Sequence, residues 1–107
     1  MAADPEVVER VHALLANEPS LEPKSMFGGV GFMVEGSLAI AAMGGGGLLA
    51  RVGREAAPGL IGPGIEQMEM NGRAMTGWLR VLPEAFESDA ELAAWVRRCV
   101  EFVRTLD

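Results

Sequence analysis

Between Leu92 and Leu106 apolar residues recur three and four positions apart. Leu92, Trp95, Val96, Cys99, Val100, Phe102, Val103 and Leu106 share one side of a helical projection, while Arg97, Glu101 and Arg104 fall opposite, which predicts a C-terminal helix lying on an apolar surface. Ser88 followed by Glu91 supplies both side chains of a capping box at its start. The same spacing appears near the N-terminus in Val7, Val8, Val11, Leu14 and Leu15, with Asp4 as N-cap. Pro5 then occupies the first helical position, where its missing N–H costs nothing. Asn17 and Pro19 end this first helix.

After a connector at 20–25 the period changes. Val30, Phe32 and Val34 alternate with Gly31 and Met33, Glu35-Gly36 turns the chain, and 37–43 returns as a second strand. The glycines at 44–47 make the next turn, and 48–52 reads as a third strand. The segment 53–64 is broken by Pro58 and by Gly62-Pro63-Gly64, with a brief helix predicted at 54–57. Residues 65–71 and 74–82 read as a second hairpin across Asn71-Gly72, a pair that favours positive φ, and Pro83 ends the last strand. Helix, three strands, short helix, two strands and helix predict an α+β two-layer sandwich: a five-stranded antiparallel sheet with the helices on one face. Without a repeat, linker or low-complexity tail, residues 1–107 read as a single domain.

A sheet covered on one side alone should alternate apolar with polar residues. Here Met75, Leu79 and Val81 are expected to point one way and Trp78 and Leu82 the other. Leu48 and Val52 oppose Leu49, and Leu38 and Ile40 oppose Ala39, Ala41 and Met43. A second apolar face is therefore expected, lying either under the 53–64 segment or against another protein. On the second reading Trp78 and Leu82 are the interface residues, and a symmetric homodimer or a protein partner is the expected occupant.

With these elements placed, a family resemblance can be stated. Met26-Phe27-Gly28-Gly29 opens the first strand and Glu35-Gly36 makes its hairpin. Leu48-Leu49-Ala50-Arg51-Val52 is an apolar strand carrying a basic residue, Met75-Thr76-Gly77-Trp78 sets an aromatic after glycine, and Leu82-Pro83-Glu84 precedes the last helix. In that order and spacing, from Ser25 to the C-terminus, they resemble the N-terminal domain of the TfoX (Sxy) competence regulators. The resemblance implies an alpha-beta(3)-alpha-beta(2)-alpha arrangement, similar in outline to type III secretion chaperones. It also implies a regulatory rather than catalytic role, since full-length TfoX regulators act as transcriptional co-activators and carry a second, helical domain.

The charge balance narrows the partners. Fifteen acidic residues against nine basic ones give a net charge of −6, unfavourable for a surface that must neutralise phosphates, so no nucleic-acid binding is expected of this domain. Arg97, Arg98 and Arg104 lie beside Glu91, Glu101 and Asp107 and read as a mixed-charge, solvated helix face. From Lys24 to Arg51 only Glu35 is charged between the two, but glycines and a mid-stretch turn make two strands a better reading than a membrane span. The acidic N-terminus does not resemble a secretory signal, and a cytoplasmic location is expected.

No catalytic constellation emerges. His12 is the one histidine and falls on the polar side of the first helix, so no triad with a histidine base can form within the chain. Cys99, the one cysteine, lies in the apolar arc of the last helix and reads as a packing residue. Gly28-Gly29-Val30-Gly31 lacks the spacing of a dinucleotide loop, and close packing or positive φ accounts for its glycines. Glu66, Glu69, Glu84, Glu87 and Asp89 show no calcium-loop ladder. No cofactor or metal is expected. The alternative to an interaction module is a small-molecule or anion-binding domain using Arg51, Arg73 and Arg80 with the glycine-rich turns, the 44–47 turn serving as an anion nest.

Overall fold

Asp4 accepts a hydrogen bond from the Glu6 N–H at 2.9 Å and opens helix α1, Pro5–Leu14, in a computed structural model that describes residues 4–26 and 28–106. Phe27, part of the Met26-Phe27-Gly28-Gly29 phrase, and Asp107, set beside the C-terminal arginines, lie outside the described residues. Val7, Val11 and Leu15 are buried and Val8 packs against them, whereas Leu14, assigned to the same face, is 43% exposed. At the other end of the chain the capping box forms as expected: Ser88 Oγ accepts from the Glu91 N–H, and Glu91 Oε1 accepts from the Ser88 N–H, both at 3.1 Å. Helix α3, Asp89–Val103, then buries Leu92, Trp95, Val96, Cys99, Val100 and Val103.

The sheet has six strands, not five. Between the helices run β1 (Leu21–Met26), β2 (Gly29–Val34), β3 (Ser37–Ala42), β4 (Leu48–Arg51), helix α2 (Ala57–Leu60), β5 (Ile65–Met70), β6 (Arg73–Val81) and a 3-10 turn at Pro83–Ala85. The strand read as a connector is β1, so four strands rather than three precede the short helix. Its sequence, Leu-Glu-Pro-Lys-Ser-Met, has no alternation, because it is an edge strand whose residues are mostly exposed. Proline and charge suit that position, where one row of backbone groups faces water. Helix α2 also sits later than expected: Pro58 lies in its first turn, where it lacks no hydrogen bond, rather than terminating it.

All pairings are antiparallel, in the order β1-β2-β3-β4-β6-β5. Phe32 and Val34, Ile40 and Ala42, Leu48 and Ala50, and Leu79 and Val81 form one core with α1 and α3. A register shift between Phe32 and Met33 leaves Ala39 unpaired between Leu38, opposite Met33, and Ile40, opposite Phe32. This bulge reverses the expected grouping on β3: Ala39 and Ile40 both join the core, and Leu38 falls on the far side with Met33 and Ala41. A strict alternation cannot reveal an extra residue.

A second irregularity bends β6. Gln67 pairs with Leu79 but Glu69 with Ala74, so the intervening stretch of β6 bulges, and Gln67 Nε2 fills the gap by donating to the carbonyls of Met75 (2.8 Å), Trp78 (3.2 Å) and Met68 (2.9 Å). Within it Gly77 has φ +89 and its carbonyl accepts from both Val52 and Gly53 N–H at 3.0 Å. A Cβ there would lie 3.0 Å from the Arg54 nitrogen, so only glycine lets β6 and the loop after β4 meet this closely. Among the described residues no helix is long and apolar enough to cross a membrane.

Candidate functional site

The far side of the sheet carries no helix. α1, α2 and α3 contribute their buried residues to the core on the near side, and the 53–64 segment does too, through Ala57 and Leu60. The ends of that segment reach the two expected interface residues: Gly53 to Ala56 line a hollow with Trp78, and the Gly64 carbonyl accepts from the Leu82 N–H at 2.7 Å. Leu49 and Ala41, paired across β3 and β4, are nonetheless buried, to 0% and 1% exposure, outside that core. Longer side chains surround them: Met33, Leu38 and Met43 are half-buried, and Arg80 stands opposite Leu49. Trp78 and Leu82, the expected interface residues, are half-buried as well.

Gly31 shows how tightly this face is filled. Met26 Sδ and Leu38 Cδ1 occupy the space where its Cβ would stand, the latter at 2.9 Å. Close packing thus explains Gly31, and positive φ (+72) explains Gly28. At the β5–β6 side, Arg80 and its register partner Glu66 approach to 3.9 Å, and both line a second hollow with Met43, Gly44, Gln67 and Glu69. With two carboxylates beside one guanidinium, that hollow does not favour an anion.

A larger hollow of about 700 Å³ opens where β4 ends. Arg51 lies near two rings there, its Cζ 5.0 Å from the Trp78 centroid and 5.8 Å from that of Phe102. One of its guanidinium nitrogens, Nη1, donates a long hydrogen bond to the Leu38 carbonyl at 3.5 Å. Gly53, Arg54, Glu55, Thr76 and Thr105 also contribute to the lining. Gly53 shapes it: with φ +92, its would-be Cβ stands 2.5 Å from the Phe102 ring, so the loop lies directly on the aromatic.

Of the three arginines proposed for an anion site, the structure brings none together. Arg51 lines the larger hollow, Arg80 is paired with Glu66 in the other, and Arg73 is exposed at the β5–β6 turn. The 44–47 glycines sit at the opposite end of β4 from Arg51 and close their own turn, Met43 N–H donating to the Gly47 carbonyl at 2.8 Å. Sequence reasoning did not assign Arg54, Phe102, Thr76 or Thr105 to a site. The available signal was Gly53 and Gly77, each marking a point where two backbone segments or a ring must approach closely.

His12 is exposed on α1, its ring centroid 6.2 Å from that of Phe32. Cys99 is sealed in the core, and desolvation pushes its thiol up to about 12, only partly offset by the hydrogen bond from the Arg51 backbone and by the charge of Arg98. At ordinary pH it carries no thiolate, the form that attacks. No metal-binding cluster occurs among the described residues.

Compared with known proteins, residues 13–103 match the TfoX N-terminal domain family, nearly the whole chain. No curated protein and no solved structure gives a significant match.

Proposed function

The chain belongs to the TfoX N-terminal domain family, and from that membership we propose that it is a non-catalytic interaction module of regulatory type that pairs with a second copy through the helix-free face of its sheet. The observation that carries this reading is that face itself. Met33, Leu38, Met43 and Leu82 remain half-buried on it outside the helix-packed core, and Trp78, also half-buried, borders it where β4 ends, beside Arg51 and the hollow that Phe102 lines. Apolar area left in water costs about 25 cal/mol per Å². Methionine and tryptophan adapt well to a contact surface.

A twofold axis presents each patch to its own copy, so unneutralised charge would meet like charge. On this face Arg80 is already matched by Glu66, which suits self-contact. Two observations support the non-catalytic reading: the only cysteine is buried as a neutral thiol, and the only histidine is exposed on a helix surface.

Sedimentation equilibrium at tens of micromolar protein tests the proposal. The wild type should be a dimer, and Leu38→Glu and Trp78→Glu should each give a folded monomer. A monomeric wild type, or a dimer indifferent to both substitutions, would refute this interface.

A further inference from the structure

We propose that the hollow between β4, β6 and α3 is a binding site for a small organic anion, a phosphate monoester or carboxylate head on a flat apolar body. Arg51 is the reason. It is half-buried, and among the described residues no carboxylate lies within ion-pairing distance of it. Arg73, Arg97 and Arg98 also lack a carboxylate, but they are exposed and water solvates them. In a chain of net charge −6, this hollow concentrates positive charge: Arg51 and Arg54 line it against a single acid, Glu55.

The geometry leaves Arg51 ready to bind rather than merely packed. The guanidinium carbon lies over the Trp78 and Phe102 rings, 5.0 and 5.8 Å from their centroids, and the rings exclude water on the sides they occupy. The guanidinium donors radiate in the plane, and among the described residues the one acceptor they meet is the Leu38 carbonyl at 3.5 Å. A planar fork of N–H groups held this way matches the oxygens of a phosphate or carboxylate. Arg54 stands in the same lining as a second positive charge, and the Thr76 side chain is exposed beside it.

The space fits more than an inorganic ion. A volume near 700 Å³ lies within the ~300–1,000 Å³ common for small-molecule sites. Val52, Gly77 and the outer edges of the Trp78 and Phe102 rings give the apolar wall. Of the three arginines expected from sequence, the site keeps Arg51 and leaves out Arg73 and Arg80, with Arg54 in their place.

The test is titration of isotopically labelled protein, followed by amide and indole N–H resonances, with phenyl phosphate, inorganic phosphate and benzyl alcohol as probes. Phenyl phosphate should produce saturable shifts confined to Gly53, Arg54, Gly77 and the Trp78 indole. Inorganic phosphate and benzyl alcohol should each bind about tenfold more weakly, since each lacks half of the recognised chemistry. Arg51→Gln should weaken phenyl phosphate about tenfold and Arg73→Gln should not change it. Because Arg51 also supports two rings, Arg54→Gln provides a variant at an exposed position; it should weaken binding about threefold, and binding to wild type should weaken with added salt. Shifts scattered over the surface or failing to saturate would overturn the proposal. So would affinity unchanged in both Arg51→Gln and Arg54→Gln, or either partial probe matching phenyl phosphate.

Discussion

Arg51 and Trp78 are direct partners across the β4–β6 ladder, and the guanidinium carbon lies 5.0 Å from the indole centroid. The pair joins a strand of the sheet centre to the bulged stretch of β6, and through the 5.8 Å approach to Phe102 it ties both to the end of α3. Replacing the charge while keeping a stem of similar length, Arg51→Met, should lower stability by about 1–2 kcal/mol. A double-mutant cycle with Trp78→Leu in urea unfolding should give a coupling of about 0.5–1 kcal/mol. Strict additivity of the two changes would show that ring and guanidinium do not interact.

Gly53 and Gly36 make a matched pair. Both have positive φ, +92 and +82, but a Cβ at Gly53 strikes Phe102 whereas at Gly36 nothing lies within 4 Å. Gly36→Ala should therefore cost about 1 kcal/mol from backbone strain alone, and Gly53→Ala about 3 kcal/mol from strain plus overpacking. Adding Phe102→Leu to Gly53→Ala should recover part of the larger loss and none of the smaller. Equal costs at the two glycines in thermal unfolding would contradict the close approach.

The buried thiol predicts a pH dependence with a definite sign. Cys99 has its folded value raised to about 12 from 9.0, so the unfolded chain loses this proton first. Its stabilising contribution is complete below pH 9 and is lost progressively as pH rises from 9 to 12, at up to about 1.4 kcal/mol per pH unit. Cys99→Ala should be less stable at neutral pH, because it opens a cavity, yet show a shallower decline in alkaline urea titrations. A thiol reagent at pH 8 should label the native protein hardly at all and the unfolded protein at one site per chain. Rapid native labelling would place the sulfur at the surface instead.

Ser88→Ala removes the acceptor for the Glu91 N–H and one half of the capping box. The expected cost is about 1 kcal/mol, with Ser88→Asp restoring most of it. Hydrogen exchange should localise the change to the first turn of α3; uniform loss of protection along the helix would mean that the cap governs more than its own turn.

Much of the fold was legible because it is written in short-range patterns. The two long helices, their caps at Asp4 and Ser88, and the hairpins at Glu35-Gly36 and Asn71-Gly72 all depend on residues a few positions apart. The burial of Cys99 followed from its place in the helical arc. β1 was not legible: an edge strand that buries almost nothing leaves no alternation to read. The bulge at Ala39 was invisible for a different reason, since an unpaired residue is defined by the partner strand, and it moved Leu38 off the face to which Ile40 belongs. The candidate hollow was least legible of all, because Arg51, Gly53, Gly77 and Phe102 come from three separate elements.

The sequence by itself determined that this chain is an antiparallel α+β sheet packed by terminal helices, and that its strands are apolar on both sides. Periodicity and capping are local, and the free energy that enforces them acts through neighbours along the chain. Only the tertiary structure decided how many strands the sheet has, which residues line its helix-free face, and that Arg51 rather than Arg73 or Arg80 stands in a hollow with two aromatic rings. Those outcomes depend on which edges pair and where a glycine permits close approach, and such contacts are selected by long-range packing that no single segment encodes.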